Sequence, residues 1–247
     1  IEQLARVKGV IPETVKPDGY AVLNADDDLV FDMANKVECN FALFSMDENN
    51  PRIKRHFKRG GVSAIYENGY ITICQGEWKM RVSKAVNVPL TMGGKATFMI
   101  QNVLAAVLAV YLDGFKIEDI KVAIESFIPS PSQTPGRLNM FNFKNFKVLL
   151  DYAHNPAGFR AIKDYVDQID ATKKVGIVAG VGDRRTEDNN ELGAIAAEMF
   201  DEIIIRQDRN LRGKDESVLI NEIHSGIKSV NPNKKVDIIR SEKDAII

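Results

Sequence analysis

VLLDYAHNP, residues 148–156, is an apolar run that stops at Asp151 and gives way to Tyr152, Ala153, His154, Asn155 and Pro156. Val148, Leu149 and Leu150 predict a buried strand. Asn155 is a favourable helix N-cap, and Pro156 suits the first helical position, where no backbone N–H is needed. A strand running into a helix start puts the polar cluster at the strand's carboxyl end, which is where open α/β sheets bind ligands. The alternation continues downstream. Strands at 146–150, 174–179 and 202–205 are separated by helices at 157–169 and 188–200, a pattern that predicts a parallel, Rossmann-like sheet. Each strand ends in charge: Asp151 with His154, then GVGDRR (180–185) with Asp183 and Arg184, then RQDRNLR (206–212) with Asp208 and Arg212. Three polar ends on one rim point to a ligand site. Taken singly they are weaker: Asp151 also reads as an Asx-type cap, and the glycines flanking Val181 are as often a turn as a ligand cradle.

Upstream, Ile1, Leu4, Val7 and Ile11 recur at helical spacing. Strands follow at 20–24 and 40–45, with a helix between them at 31–37. The segments 62–66 and 70–74 alternate around Glu67-Asn68-Gly69, and Asn-Gly supplies the positive φ of a tight hairpin turn. A further strand is expected at 78–86, then long helices at 97–112 and 117–127. IPSPSQTPG (128–136) reads as a linker. It divides an α/β chain into domains at 1–134 and 135–247.

Composition narrows the class. The 247 residues are 45% hydrophobic, enough for real cores, and the formal net charge of −1 gives no global case for nucleic acid or an anionic membrane. Cys39 and Cys74 sit in apolar stretches and read as small buried hydrophobes, which fits a reducing cytoplasm. No segment is apolar enough to span a membrane. The first residue is not Met and stands inside a helical pattern, so a piece of a longer protein is expected. A phosphate-binding GxxxxGK[ST] loop is absent; GGKA (93–96) has Ala96 where the hydroxyl belongs. Lys8 by itself reads as a solvated lysine, RIKRHFKRGG (52–61) as a solvated helix face, and His56 and His224 lack partners at metal-ligand spacing.

Taken together, VKGVIPE, GYAVLNADD, the Asn-Val-Leu-Ala-Ala helix, PGR, DYAHNP, GVGDRR and QDRNLRG resemble the Mur-ligase family of ATP-dependent amide ligases, closest to the branch that makes cyanophycin. The resemblance covers essentially the whole chain. It implies the rear of a central ATP-binding domain, truncated of its P-loop portion, followed by a Rossmann-like C-terminal domain. It implies ATP and Mg2+, with arginine and a poly-aspartate (cyanophycin) primer as the other partners. An aspartate side chain of the primer would attack the γ-phosphate, and the resulting acyl phosphate would be attacked by the arginine amine.

Residue by residue, Lys8 matches the lysine that acts in catalysis and, when carbamylated, helps hold a second magnesium. Asn102 matches the adenine-side asparagine, with Met99 standing three residues before it where the family pattern carries another asparagine. Arg137 matches the domain-junction arginine that reaches the nucleotide, Asp151 the ribose-binding aspartate, and His154 and Tyr152 can line the nucleotide or serve equally as packed, hydrogen-bonded residues. Asp183 and Arg184 fall on the substrate side with Asp208 and Arg212, the last two matching the loop that binds the amino acid. The family's P-loop is expected upstream of Ile1, so the fragment alone should not turn over, and the parent is expected to be a homo-oligomer. Two other readings stand beside this one: a Mur-type ligase for a different amino acid, and a non-catalytic nucleotide or amino-acid binding module.

Overall fold

The computed structural model describes residues 2–207 and 210–246. The chain divides into two compact units, 1–133 and 134–247. In order, the first contains α1 (Glu2–Glu13), β1 (Tyr20–Asn24), α2 (Asp28–Asp32), β2 (Asn40–Ser45), α3 (Pro51–Lys58), β3 (Ser63–Glu67), β4 (Tyr70–Gln75), β5 (Trp78–Lys84), α4 (Thr97–Leu112) and α5 (Ile117–Ser126). The second contains β6 (Asn139–Asn142), β7 (Lys147–Leu150), α6 (Pro156–Val166), β8 (Val175–Val178), α7 (Thr186–Met199), β9 (Glu202–Ile205), α8 (Glu216–Val230), β10 (Lys235–Ile238) and α9 (Glu242–Ile246). Among the described residues no helix is long and apolar enough to cross a membrane.

The first unit is built on a five-stranded sheet in the order β1-β2-β3-β4-β5. Its first three strands run parallel and its last three form an antiparallel meander. Asn68 (φ 50°) and Gly69 (φ 83°) make the expected turn of the β3–β4 hairpin. Helix α4 buries Ile100, Val103, Leu104, Val107 and Leu108, and a core of Ala64, Ile71, Ile73 and Val82 from the sheet packs with it. Cys39 and Cys74 are free and buried, as their apolar surroundings predict, and burial pushes the Cys74 thiol up to about 11. Of the helix expected at 31–37, an α-helix ends at Asp32, a 3-10 turn covers Met33–Asn35, and 36–37 are not helical. Helix α1 also departs from its amphipathic reading. Leu4, Val7 and Ile11 are exposed, and the buried positions are Gly9 and Pro12.

The second unit has a parallel sheet in the order β10-β9-β8, flanked by α7 and α8. β7 corrects the sequence reading of 148–150. It pairs antiparallel with β6 in a separate two-stranded ribbon, and Val148 and Leu150 are exposed. The reason is local. The tip 143–146 closes a hairpin through Phe143 N–H to Phe146 O at 2.9 Å, with the two rings stacked 4.6 Å apart. The polar rim on the parallel sheet therefore has two strand ends, those of β8 and β9. Downstream of β7 the expectation holds: Asn155 caps α6 by accepting from Gly158 N at 2.8 Å, and Pro156 is its first residue.

Candidate functional site

Asp151 stands where β7 ends, and its carboxylate is already at work inside the second unit. Oδ1 accepts from Ala153 N at 2.8 Å, the Asx turn that sequence allowed, while Oδ2 accepts from Leu138 N at 2.9 Å. A second strap runs from Tyr152 N to Gly136 O at 2.8 Å, and the Asn139 side chain accepts from Gly136 N at 2.8 Å and donates to Thr134 O at 3.0 Å. These bonds fold 134–139 against 151–153, with Gly136 (φ 66°) and buried Leu138 (φ 50°) in the left-handed region. Arg137 is thereby presented with its guanidinium 5.6 Å from the Tyr152 ring centroid.

Tyr152, which the resemblance sets beside His154 at the nucleotide or in a packed, hydrogen-bonded role, has several polar neighbours. Besides Arg137, it has His154 at a ring separation of 5.3 Å, and Arg212 is near enough to interact with its side chain electrostatically. His154 Nδ1 lies 3.1 Å from the Tyr152 carbonyl. The signal in the sequence was an aromatic residue between Asp151 and His154 at a strand end. Arg137, His154 and Arg212 thus surround one ring, and Asp151 precedes it in the chain.

The β8 and β9 ends meet as the rim reading requires. Arg212 Nη1 donates to Asp183 Oδ2 at 2.8 Å, and that bond holds the Asp183 carboxyl below its usual range. Arg212 itself has φ 46°, braced by its N–H bonding to Asn210 Oδ1 at 3.1 Å and followed by Gly213 at φ 89°. A β-carbon at residue 182 would stand 1.8 Å from the Leu211 carbonyl oxygen. Gly182 is therefore glycine so that the two loops can touch, and the space beside it belongs to Leu211 rather than to a ligand. Arg184 is half-buried on the same loop, and its Nε has no hydrogen-bond partner. Asp208 lies outside the described residues.

The remaining site residues lie in the first unit. Lys8 is exposed on α1. Asn102 is on the exposed side of α4, where its Nδ2 lies 3.7 Å from the sulfur of Met99. Asp26, of the AVLNADD stretch, ties strand ends together: Oδ1 accepts from Ser45 Oγ at 2.5 Å and Asn50 Nδ2 at 2.9 Å, and Oδ2 from Met46 N at 2.7 Å. His56 is half-buried and stacked on Phe41, and burial pushes its pKa down. Among the described residues no three His, Cys, Asp or Glu side chains converge on one point.

Comparison with known proteins finds relatives over the whole chain. The chain is 50% identical to the cyanophycin synthetase of Geminocystis herdmanii and 48% identical to that of Synechocystis sp., in each case over 100% of its own length and 28% of theirs. It thus spans little more than a quarter of the curated relatives it matches. In fold it is similar to the folylpolyglutamate synthase of Mycobacterium tuberculosis complexed with ADP, with a TM-score of 0.69 at 17% identity, covering 99% of this chain and 50% of that one. The profile of the Mur ligase middle domain matches residues 1–110, and that of the Mur ligase glutamate ligase domain matches 136–247. By these two matches, which together cover all of the chain but residues 111–135, the chain belongs to the Mur ligase family.

Proposed function

We propose that this chain is the rear part of the ATP-binding domain (1–134) and the Rossmann-like C-terminal domain (135–247) of an ATP-dependent ligase that joins arginine to aspartate side chains of a poly-aspartate, cyanophycin-type primer. The observation that carries the reading is the Asp183–Arg212 pair on the rim of β8 and β9. It offers an incoming amino acid both countercharges. Arg212 can clamp an α-carboxylate with two parallel hydrogen bonds, and Asp183, with Asp208, can face a guanidinium. Identity of 46–50% to cyanophycin synthetases supports arginine as that amino acid.

ATP fits the neighbouring residues. Each Asp151 oxygen has one backbone donor and so keeps a lone pair for a ribose hydroxyl, and Arg137 is held over Tyr152 where it can meet the nucleotide. His154 borders that ring, and Asn102 is assigned to the adenine side. ATP supplies the phosphoryl group that activates the primer carboxylate. This chain's own part is to hold the nucleoside and orient the amino acid, with Arg184 on the substrate side. Mg2+ finds no full ligand set among the described residues; Lys8 is proposed to add one carbamate oxygen to a second ion whose other ligands come from outside this chain. The parent protein is proposed to work in the cytoplasm as a homo-oligomer.

The test is to give the full-length protein ATP, a poly-aspartate primer and each amino acid in turn. Phosphate release dependent on arginine is expected. Release with another amino acid and none with arginine overturns the assignment.

A further inference from the structure

Glu222 lies in the middle of α8 on its apolar side, next to Ile223, and is only 6% exposed. A carboxylate in such a place must be hydrogen-bonded on every side to stay charged. Thr186 Oγ1 donates to Oε1 at 2.6 Å, Asn189 Nδ2 donates to Oε2 at 2.6 Å, and Lys214 Nζ reaches the two oxygens at 2.9 and 3.0 Å. Burial alone raises this carboxyl's pKa, but the donors on Thr186, Lys214 and Asn189 together outweigh it and leave the group below its ordinary value.

These donors come from both sides of the rim. Thr186 and Asn189 follow GVGDRR directly, whereas Lys214 closes the loop that carries Arg212. Asn189 is fully buried and turns its amide onto Val181, accepting from its N–H at 3.1 Å and donating to its carbonyl at 3.1 Å. A continuous set of contacts therefore runs from Val181 through Asn189 and Glu222 to Lys214.

We propose that Glu222 is a positioning residue for the amino-acid substrate: its carboxylate holds the loops after β8 and β9 in one register, so that Asp183, Arg184 and Arg212 face the ligand together. The proposal rests on the ligase reading above. Glu222 itself touches no substrate in this account.

In the full-length protein, Glu222→Gln keeps the size and removes the charge. The KM for arginine is expected to rise about tenfold, the scale of one charge-assisted hydrogen bond, with kcat and the KM for ATP changing less than about twofold. Amide hydrogen exchange over 181–184 and 210–214 should quicken while that of the first unit is unchanged. Lys214→Met should reproduce the effect, the double variant should add nothing further, and Lys214→Arg should restore the KM. If Glu222→Gln does not fold, Lys214→Met, which leaves the carboxylate with Thr186 and Asn189, carries the same test. An unchanged arginine KM with unchanged exchange overturns the proposal. So does a parallel fall of every kinetic constant with exchange quickened throughout the second unit. If wild-type protein turns over a different amino acid, the arginine reading fails, and the tether is judged by the KM for that amino acid and by exchange.

Discussion

Asp151 uses one oxygen to fix its own turn and the other to hold the loop that carries Arg137. A neutral amide at this position has a single acceptor oxygen, so it can satisfy only one of the two N–H groups. Asp151→Asn is expected to lose about 1–2 kcal/mol of stability in chemical denaturation and to weaken ATP binding by calorimetry on the full-length protein. Unchanged ATP affinity would remove Asp151 from the ribose. At this scale the sequence is uneven as a guide. Asn155 and Pro156 were legible because capping is decided within four residues of chain. Asp151 was recognisable as important, but its partner Leu138 is thirteen residues away and could not be read from spacing. Glu222 left a fainter mark: it falls in the row Leu219, Glu222, Ile223, Gly226, an acid within the apolar stripe of its own helix. Its donors are eight to thirty-six residues distant, and only the fold brings them together.

Helices α7 and α8 cross where glycines let their backbones meet. A β-carbon at residue 226 would stand 1.8 Å from the Asn190 carbonyl oxygen, and one at residue 193 would stand 2.1 Å from that of Ile223. Gly226→Ala must push the helices apart, and such overpacking costs about 1–3 kcal/mol; urea denaturation of the second unit should show it, and an unchanged midpoint would mean that the crossing relaxes freely. Because Glu222 is one turn before Gly226, the same shift should also raise the arginine KM. Element type was largely legible, since α4, the β3–β4 hairpin and β9 follow from periodicity and turn residues. Pairing was not. β7 has the apolar composition of a central strand, yet the four-residue tip 143–146 joins it to its immediate predecessor, and a local closure needs no crossover.

At the scale of the whole molecule, acid stability follows from the carboxylates. Glu222 titrates in the folded state below its ordinary value of 4.5. A depressed pKa contributes stability that is complete above the unfolded value and is lost as pH falls through the folded one. The melting temperature is therefore expected to be level above about pH 5 and to fall below about pH 4.5, less steeply in Glu222→Gln; equal slopes would mean that the network contributes nothing to acid stability. Asp183, Asp188 and Glu202 are lowered by Arg212, Arg185 and Lys173 in the same direction, but Asp183 is exposed and Asp188 and Glu202 are only half-buried, so added salt should weaken their share more than that of Glu222. The division into two units was legible in IPSPSQTPG, because prolines and serines interrupt both periodicities at once. The meander of the first unit bears on how the chain reaches this state. β3, β4 and β5 pair with neighbours in sequence across tight turns, so their contacts close short loops, whereas β1 with β2 and β2 with β3 must wait for helical crossovers to be laid down. Residues 63–84 are thus the segment able to assemble earliest, a template on which the slower parallel strands can then add.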